Sequence, residues 1–205
     1  GARRQFFDLK APIVLENPQR GKEPFDATAI KEIYLISVLL GEGEEFFSGA
    51  EDIKNHIIYV FTREFTQIIL NELDTISDFT NYLRAKEALL EQNKRLTILG
   101  GEEELLAFYL MNNRSFQRLY EGTHIVINEG LWEDFQNKQE YRAKKKQDEI
   151  SYGWDDIINS IHEASSGYEI VARELARPNR FERRCLSKTY FEAYVMADND
   201  KVHPL

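Results

Sequence analysis

The stretch FTREFTQIILNELDTISDFTNYLRAKEALLEQNKR, Phe61 to Arg95, decides the fold. Phe65, Ile68, Ile69 and Leu73 recur at helical spacing, which makes one stripe of the first half apolar. Arg63, Glu64, Gln67, Asn71 and Glu72 between them suit water. Asp74 and Thr75 then interrupt the pattern. Thr75 precedes Asp78 at capping-box spacing and Ser77 is a competing cap, so a second helix is expected to start between Thr75 and Ser77. Phe79, Tyr82, Leu83, Leu89 and Leu90 continue the apolar face. Lys94 and Arg95 are expected in the last turn, where cations complement the helix dipole. The result is a helix–corner–helix unit without a recognisable catalytic device.

The corner carboxylates Glu72, Asp74 and Asp78 are candidate metal ligands, because divalent cations prefer oxygen donors. No glycine-containing calcium loop surrounds them. Acidic side chains at a helix start also have an ordinary capping and dipole role, which is the preferred reading.

Working outward, Ile33–Leu40 is apolar on both alternating faces, as a strand in the middle of a covered sheet would be. The acidic loop GEGEEFFSGAED leads to a second strand at Ile57–Phe61. Leu96–Leu99 and Thr123–Asn128 are further strand candidates. Between them, Gly100-Gly101 ends a strand and Glu102, Glu103 and Glu104 open a helix that buries Leu105, Leu106, Tyr109 and Leu110. This order implies an α/β or α+β fold: a small mixed sheet of about four strands, flanking helices and a helical C-terminal third. Residues 1–135 are expected to form the core with an extended N-terminal arm, and 136–205 a helical region packed on or beside it. In that region Gln136–Glu149 is a long exposed helix or mobile connection. Phe181, Cys185, Leu186, Thr189, Tyr190 and Ala193 are expected to mark the buried face of a final helix.

Hydrophobic residues make up 42% of the 205, enough for a real core. No apolar run reaches membrane-span length, and no hydrophobic signal region follows the start, so no membrane contact is expected. Cys185 is the single cysteine, which rules out an intrachain disulfide and a cysteine-based zinc cluster and is compatible with a reducing cytoplasm. A net charge of −9 opposes nucleic-acid binding, since phosphate affinity needs a basic surface. The local exceptions are Arg142 with Lys144–Lys146, and Arg173, Arg177, Arg180, Arg183, Arg184 and Lys188. The second group is the candidate nucleic-acid surface, although a solvated helix face explains either group.

Gly41-Glu42-Gly43 lacks the lysine or third glycine of a phosphate loop, and its glutamates repel phosphate. His56, His124, His162 and His203 form no helical His-x-x-x-His pair. Ser37, Ser48, Ser77 and Ser160 lie in no nucleophile elbow. Asp52 and Lys54 have nuclease-like spacing but precede a strand within a polar loop. No catalytic residue is assigned, and no cofactor is expected.

YLISVLLG (34–41), the run from Ile58 to Leu90, LGGEEELLAFYL (99–110) and NRFERRCLSKTYFEAYVMA (179–197) together resemble a family of uncharacterised bacterial proteins, over most of residues 31–197. Members carry a nuclease-like segment before this region. The resemblance implies that the present chain corresponds to the part after the nuclease core, and it supplies no catalytic residue. The expected function is therefore a cytoplasmic accessory, interaction or oligomerisation domain, acting on a protein partner or a second copy. Trp132, Phe135, Tyr141, Tyr152 and Trp154 are the candidate anchors, as aromatics in polar surroundings. The alternative is a divalent-metal nuclease or phosphodiesterase whose carboxylates converge only in the fold, or a nucleic-acid-binding accessory region of one.

Overall fold

A computed structural model describes residues 13–17, 21–26, 28, 30–41, 50–52, 57–92 and 95–202. The chain divides into two compact units, Gly1–Leu35 and Ile36–Leu205. In the first, β1 (Val14–Asn17) and β2 (Gly21–Pro24) pair antiparallel from Val14↔Pro24 to Asn17↔Gly21. Phe25 N extends that pairing by donating to Ile13 O at 2.7 Å. The expected apolar piece Phe6–Leu9 lies outside the described residues.

The second unit is α+β. Strands β3 (Leu35–Leu39), β4 (Ala50–Asp52) and β5 (Ile57–Thr62) form one sheet in the order β3-β5-β4. Strands β6 (Arg95–Ile98) and β7 (His124–Ile127) form a separate parallel pair, from Arg95↔His124 to Ile98↔Ile127. All four strands expected after the arm are present, distributed over two sheets. The central position belongs to β5, whose Tyr59 and Phe61 are buried, and not to β3. β3 lies at the edge, with Ile36 and Val38 about two-fifths exposed. An apolar alternation shows that a strand has two greasy faces, but says nothing about which neighbours cover them. Asp52 belongs to β4, while Lys54 lies outside the described residues.

Two hydroxyl caps build the helix–corner–helix unit. Thr62 Oγ1 accepts from Phe65 N at 3.0 Å and starts α1 (Arg63–Glu72). Thr75 Oγ1 accepts from Asp78 N at 3.1 Å and donates to Asp78 Oδ2 at 2.8 Å, starting α2 (Ile76–Glu91). The aspartate thus returns the hydroxyl's bond directly, where a glutamate would reach back to the cap's N–H. The other end departs from expectation. α2 stops at Glu91 with no cation in its last turn, and Arg95 opens β6. Pairing of Leu96, Thr97 and Ile98 with β7 outweighs the local helix signal.

Next come α3 (Glu102–Met111), α4 (Leu131–Asn137) and α5 (Gln139–Ala164), then α6 (Glu169–Leu175) and α7 (Arg180–Val202). The stretch Gln136–Glu149 is therefore the end of α4 and the first half of α5. Phe65, Ile69, Leu83, Leu105 and Leu106 are essentially fully buried. An aromatic cluster extends this core: Tyr109 lies 5.2 Å from both Tyr82 and Phe116, ring centre to ring centre. Ile125 and Ile127 point inward from β7, and Val126 between them points out.

The last helix is inside out. Its buried positions are Arg180, Arg183 and Ser187, while Phe181, Leu186 and Tyr190 are exposed. Cys185 is exposed as well, so the expected buried apolar face does not form. The reason lies across the interface, where α5 offers Asp148, Ser151 and Asp155 to the arginines. At the crossing Gly153 has no side chain, and a Cβ there would stand 2.6 Å from the Phe191 ring and 3.0 Å from Ser187 Oγ. No helix among the described residues is long and apolar enough to cross a membrane.

Candidate functional site

The acidic corner and the basic cluster, remote in sequence, meet in one ionic hub. Arg180 enters from the first turn of α7. Its Nε donates to Asp74 Oδ1 at 2.8 Å, its Nη1 to Asp155 Oδ2 at 2.8 Å and Ser151 Oγ at 3.2 Å, and its backbone N to Asp78 Oδ2 at 2.9 Å. The guanidinium also lies 4.6 Å over the Tyr152 ring, whose hydroxyl donates to Asp74 Oδ2 at 3.2 Å. Burial pulls Arg180 down, but the bonds and charges of Asp74 and Asp155 outweigh it and hold the group above its usual value.

Arg114 reaches Asp78 from the turn after α3. Asn113 and Arg114 both adopt left-handed backbone, with φ of 55° and 59°, and Arg114 N donates to Tyr109 O at 2.9 Å. Two consecutive side-chain-bearing residues in this region are uncommon and costly. Burial pushes the Arg114 guanidinium below its usual value, against Asp148, Asp74 and Glu72.

Glu72 is buried at the end of α1, where its Oε1 accepts from the Tyr141 hydroxyl at 2.7 Å and meets Lys145 Nζ at 2.8 Å. Lys144 pairs with Asp148 at 2.8 Å along α5. Each of Glu72, Asp74 and Asp78 thus faces a cation from a different part of the chain. No group of three or more His, Cys, Asp or Glu side chains is placed to hold a metal among the described residues.

The six candidate nucleic-acid residues each face a carboxylate. Arg173 meets Glu169 at 2.7 Å, Arg177 meets Glu174 at 2.9 Å and Lys188 meets Glu192 at 3.9 Å. Arg183 joins Asp155 at 2.6 Å, and Arg184 reaches Asp148 at 3.6 Å. The basic run is electrostatically answered along its whole length.

The five aromatic candidates are largely absorbed into local structure. Phe135 is buried, 5.8 Å from the Trp132 ring and 4.8 Å from Tyr141. Trp154 Nε1 donates to Leu175 O at 2.9 Å. Tyr152 is about half exposed beneath Arg180. Further exposed aromatics lie on α7: Tyr190, Phe191 and Tyr194, followed by Val195 and Met196, are each 46–66% exposed. Tyr190, Phe191, Tyr194 and Val195 share a stripe of the helix that continues the line of Arg183 and Ser187, and Met196 lies off it. Of these, only Tyr190 is singled out by its spacing in the sequence.

Two further buried polar sites support the fold. Glu104 reaches from α3 to the start of α4 and accepts from Gly130 N at 2.9 Å and Trp132 N at 2.7 Å, an anion at a helix N-terminus. Glu102 pairs with Lys86, both essentially without exposure, and accepts from the Tyr82 hydroxyl at 3.1 Å. Burial raises the Glu102 carboxyl above its usual range, against the opposing pull of Lys86 and Tyr82. Among the histidines, His162 Nδ1 meets Glu169 Oε2 at 2.5 Å, and His124 Nε2 lies 3.4 Å from Thr97 Oγ1. His56 and His203 lie outside the described residues.

The fold and hub define an α+β protein with a polar-packed helical tail, and comparison with protein-family models, curated proteins and solved structures finds no match for the chain.

Proposed function

We propose that this chain is a non-catalytic interaction domain that self-associates through the second half of α7. The carrying observation is the apolar run Tyr190, Phe191, Tyr194, Val195 and Met196, exposed on the second half of α7, beyond the stretch where Arg180, Arg183 and Ser187 are buried against α5. A 23-residue helix whose large apolar side chains stay exposed is not explained by the needs of its own core. Contiguous exposed apolar surface on this scale marks a contact site. Pairing two such runs isologously gives a closed dimer. We place the protein in the cytoplasm on the strength of its lone, exposed thiol. The hub supports the non-catalytic reading, because the carboxylates a nuclease would use are each occupied by a cation of the chain itself, Asp78 by Arg114, Glu72 by Lys145 and Asp74 by Arg180.

Light scattering over a range of concentrations is the test. A dimer or larger species is expected, and Tyr194→Ser with Val195→Ser and Met196→Ser is expected to give a folded monomer. A strict monomer at every concentration overturns the proposal, as does a triple variant that associates unchanged.

A further inference from the structure

A cleft of about 530 Å³ opens between the C-terminal end of α3 and the junction of α4 with α5. This volume is in the range of small-molecule sites. Leu110, Met111, Phe135 and Tyr141 supply apolar wall, while Arg114, Lys138 and Lys144 supply N–H donors. Glu140 is the one carboxylate of the lining, and it sits in the first turn of α5, where the helix dipole favours it.

The three cations are not equivalent. Lys144 is held by Asp148. Arg114 gives Nη1 to Asp78, while its Nε and Nη2 meet no protein acceptor among the described residues. Lys138 has only a long contact, 3.9 Å to Met111 Sδ, and no carboxylate partner among the described residues. Lys138 also forms the short link between α4 and α5, so its backbone is fixed by a helix on either side. Arg114 is fixed by the left-handed turn and by Asp78 behind it. A guanidinium held by Asp78 and an ammonium on a fixed backbone, beside an apolar wall, suit a ligand with matching halves.

We propose that this cleft binds a small organic anion with a ring-sized apolar body. The anionic group meets Lys138 and the free edge of Arg114, and the body lies against Met111, Phe135 and Tyr141. A carboxylate and a phosphate share the required chemistry.

Amide NMR titrations with phenylacetate and with phenyl phosphate test this, with inorganic phosphate and benzyl alcohol as the two half-ligands. Saturable shifts at Met111, Lys138 and Tyr141 are expected with at least one aryl anion, and the stronger of the two identifies the anionic group. Either half-ligand is expected to bind at least roughly tenfold more weakly, the loss that follows from removing one well-placed charged or apolar contact. Lys138 is exposed, so Lys138→Glu keeps the fold, and a loss of about tenfold or more is expected from reversing that charge. Absence of saturable shifts with both aryl anions overturns the proposal. So does equal binding of benzyl alcohol or inorganic phosphate, or an affinity unchanged by Lys138→Glu.

Discussion

Arg180 Nε and Asp74 Oδ1 lie 2.8 Å apart although 106 positions separate the two residues along the chain. The contact joins the first turn of α7 to the corner between α1 and α2, and Asp155 of α5 completes the link. An ion pair so poorly exposed contributes little net stability, because desolvation offsets the attraction. Its effect is positional: it sets which face of α7 turns inward along the first half of the helix.

Removing one partner should still be expensive. Arg180→Met leaves Asp74 and Asp155 without their shared cation, and both are only about a quarter exposed. A loss of about 2–3 kcal/mol is expected, somewhat below the figure for fully buried pairs because water reaches both carboxylates. Adding Asp74→Asn to this variant should cost less than Asp74→Asn alone, as for any pair in one network. Urea unfolding of the four proteins gives the result. A loss below about 0.5 kcal/mol for Arg180→Met would place the pair among ordinary surface contacts.

The caps make a finer prediction. Thr75 is buried and its hydroxyl both accepts from and donates to Asp78. Thr75→Ala should cost about 1–2 kcal/mol, the range for a lost N-cap. Thr75→Ser keeps both bonds and should recover most of that loss. Equal destabilisation by serine and alanine in thermal unfolding would show that the methyl group, and not the hydroxyl, matters.

The contrast between these two regions explains what was legible in the sequence. A cap is a local event, so Thr75 and Asp78 reveal the start of α2 within a few residues of chain. The candidate metal ligands and the candidate nucleic-acid residues were found as two separate sets, because sequence distance hides that Arg180 of the second joins Asp74 and Asp78 of the first. The orientation of α7 was hidden for a related reason. Hydrophobic periodicity identifies an apolar stripe but assumes that it faces the core. Here Asp148, Ser151 and Asp155 on α5 make the polar stripe the better inner face. The end of α2 was misplaced because Lys94 and Arg95 match a helix terminus locally, whereas β7 lies about thirty residues further along.

Alkaline pH should unfold the protein through its buried tyrosines. Burial raises Tyr109 to about 12 and Tyr82 well above its usual 10. Burial, together with Glu72 for Tyr141 and Asp74 for Tyr152, raises those two hydroxyls as well. Each raised group binds its proton more tightly in the native state than in the unfolded chain. For the buried Tyr82 and Tyr109 that stabilisation is complete below pH 10 and is lost as pH rises through the folded value, by about 1.4 kcal/mol per unit per group, while the half-exposed Tyr152 contributes less because solvent screens it. Tyrosinate absorbance should therefore show a late component that appears together with loss of circular dichroism. Full ionisation of all tyrosines near pH 10 with structure intact would contradict the burial.

The Lys86–Glu102 pair gives the sharpest test of how the core tolerates charge. Both side chains are essentially inaccessible, and Glu102 also accepts from Tyr82. Lys86→Met removes the one cation that opposes the effect of burial on Glu102, so the carboxyl should rise further above its usual 4.5. A raised carboxyl stabilises the fold only while protonated, and that contribution disappears as pH rises through the folded value. The single variant should accordingly lose about 2–4 kcal/mol at neutral pH and much less toward pH 4.5. Glu102→Gln in the same background removes the ionisable group but keeps a carbonyl for the Tyr82 hydroxyl. The double variant should regain most of the neutral-pH loss and should lack the single variant's added pH dependence. Urea midpoints across this range decide between the two cases: a double variant as weak as Lys86→Met, or a single variant flat with pH, would show that the buried charge is not what sets the cost.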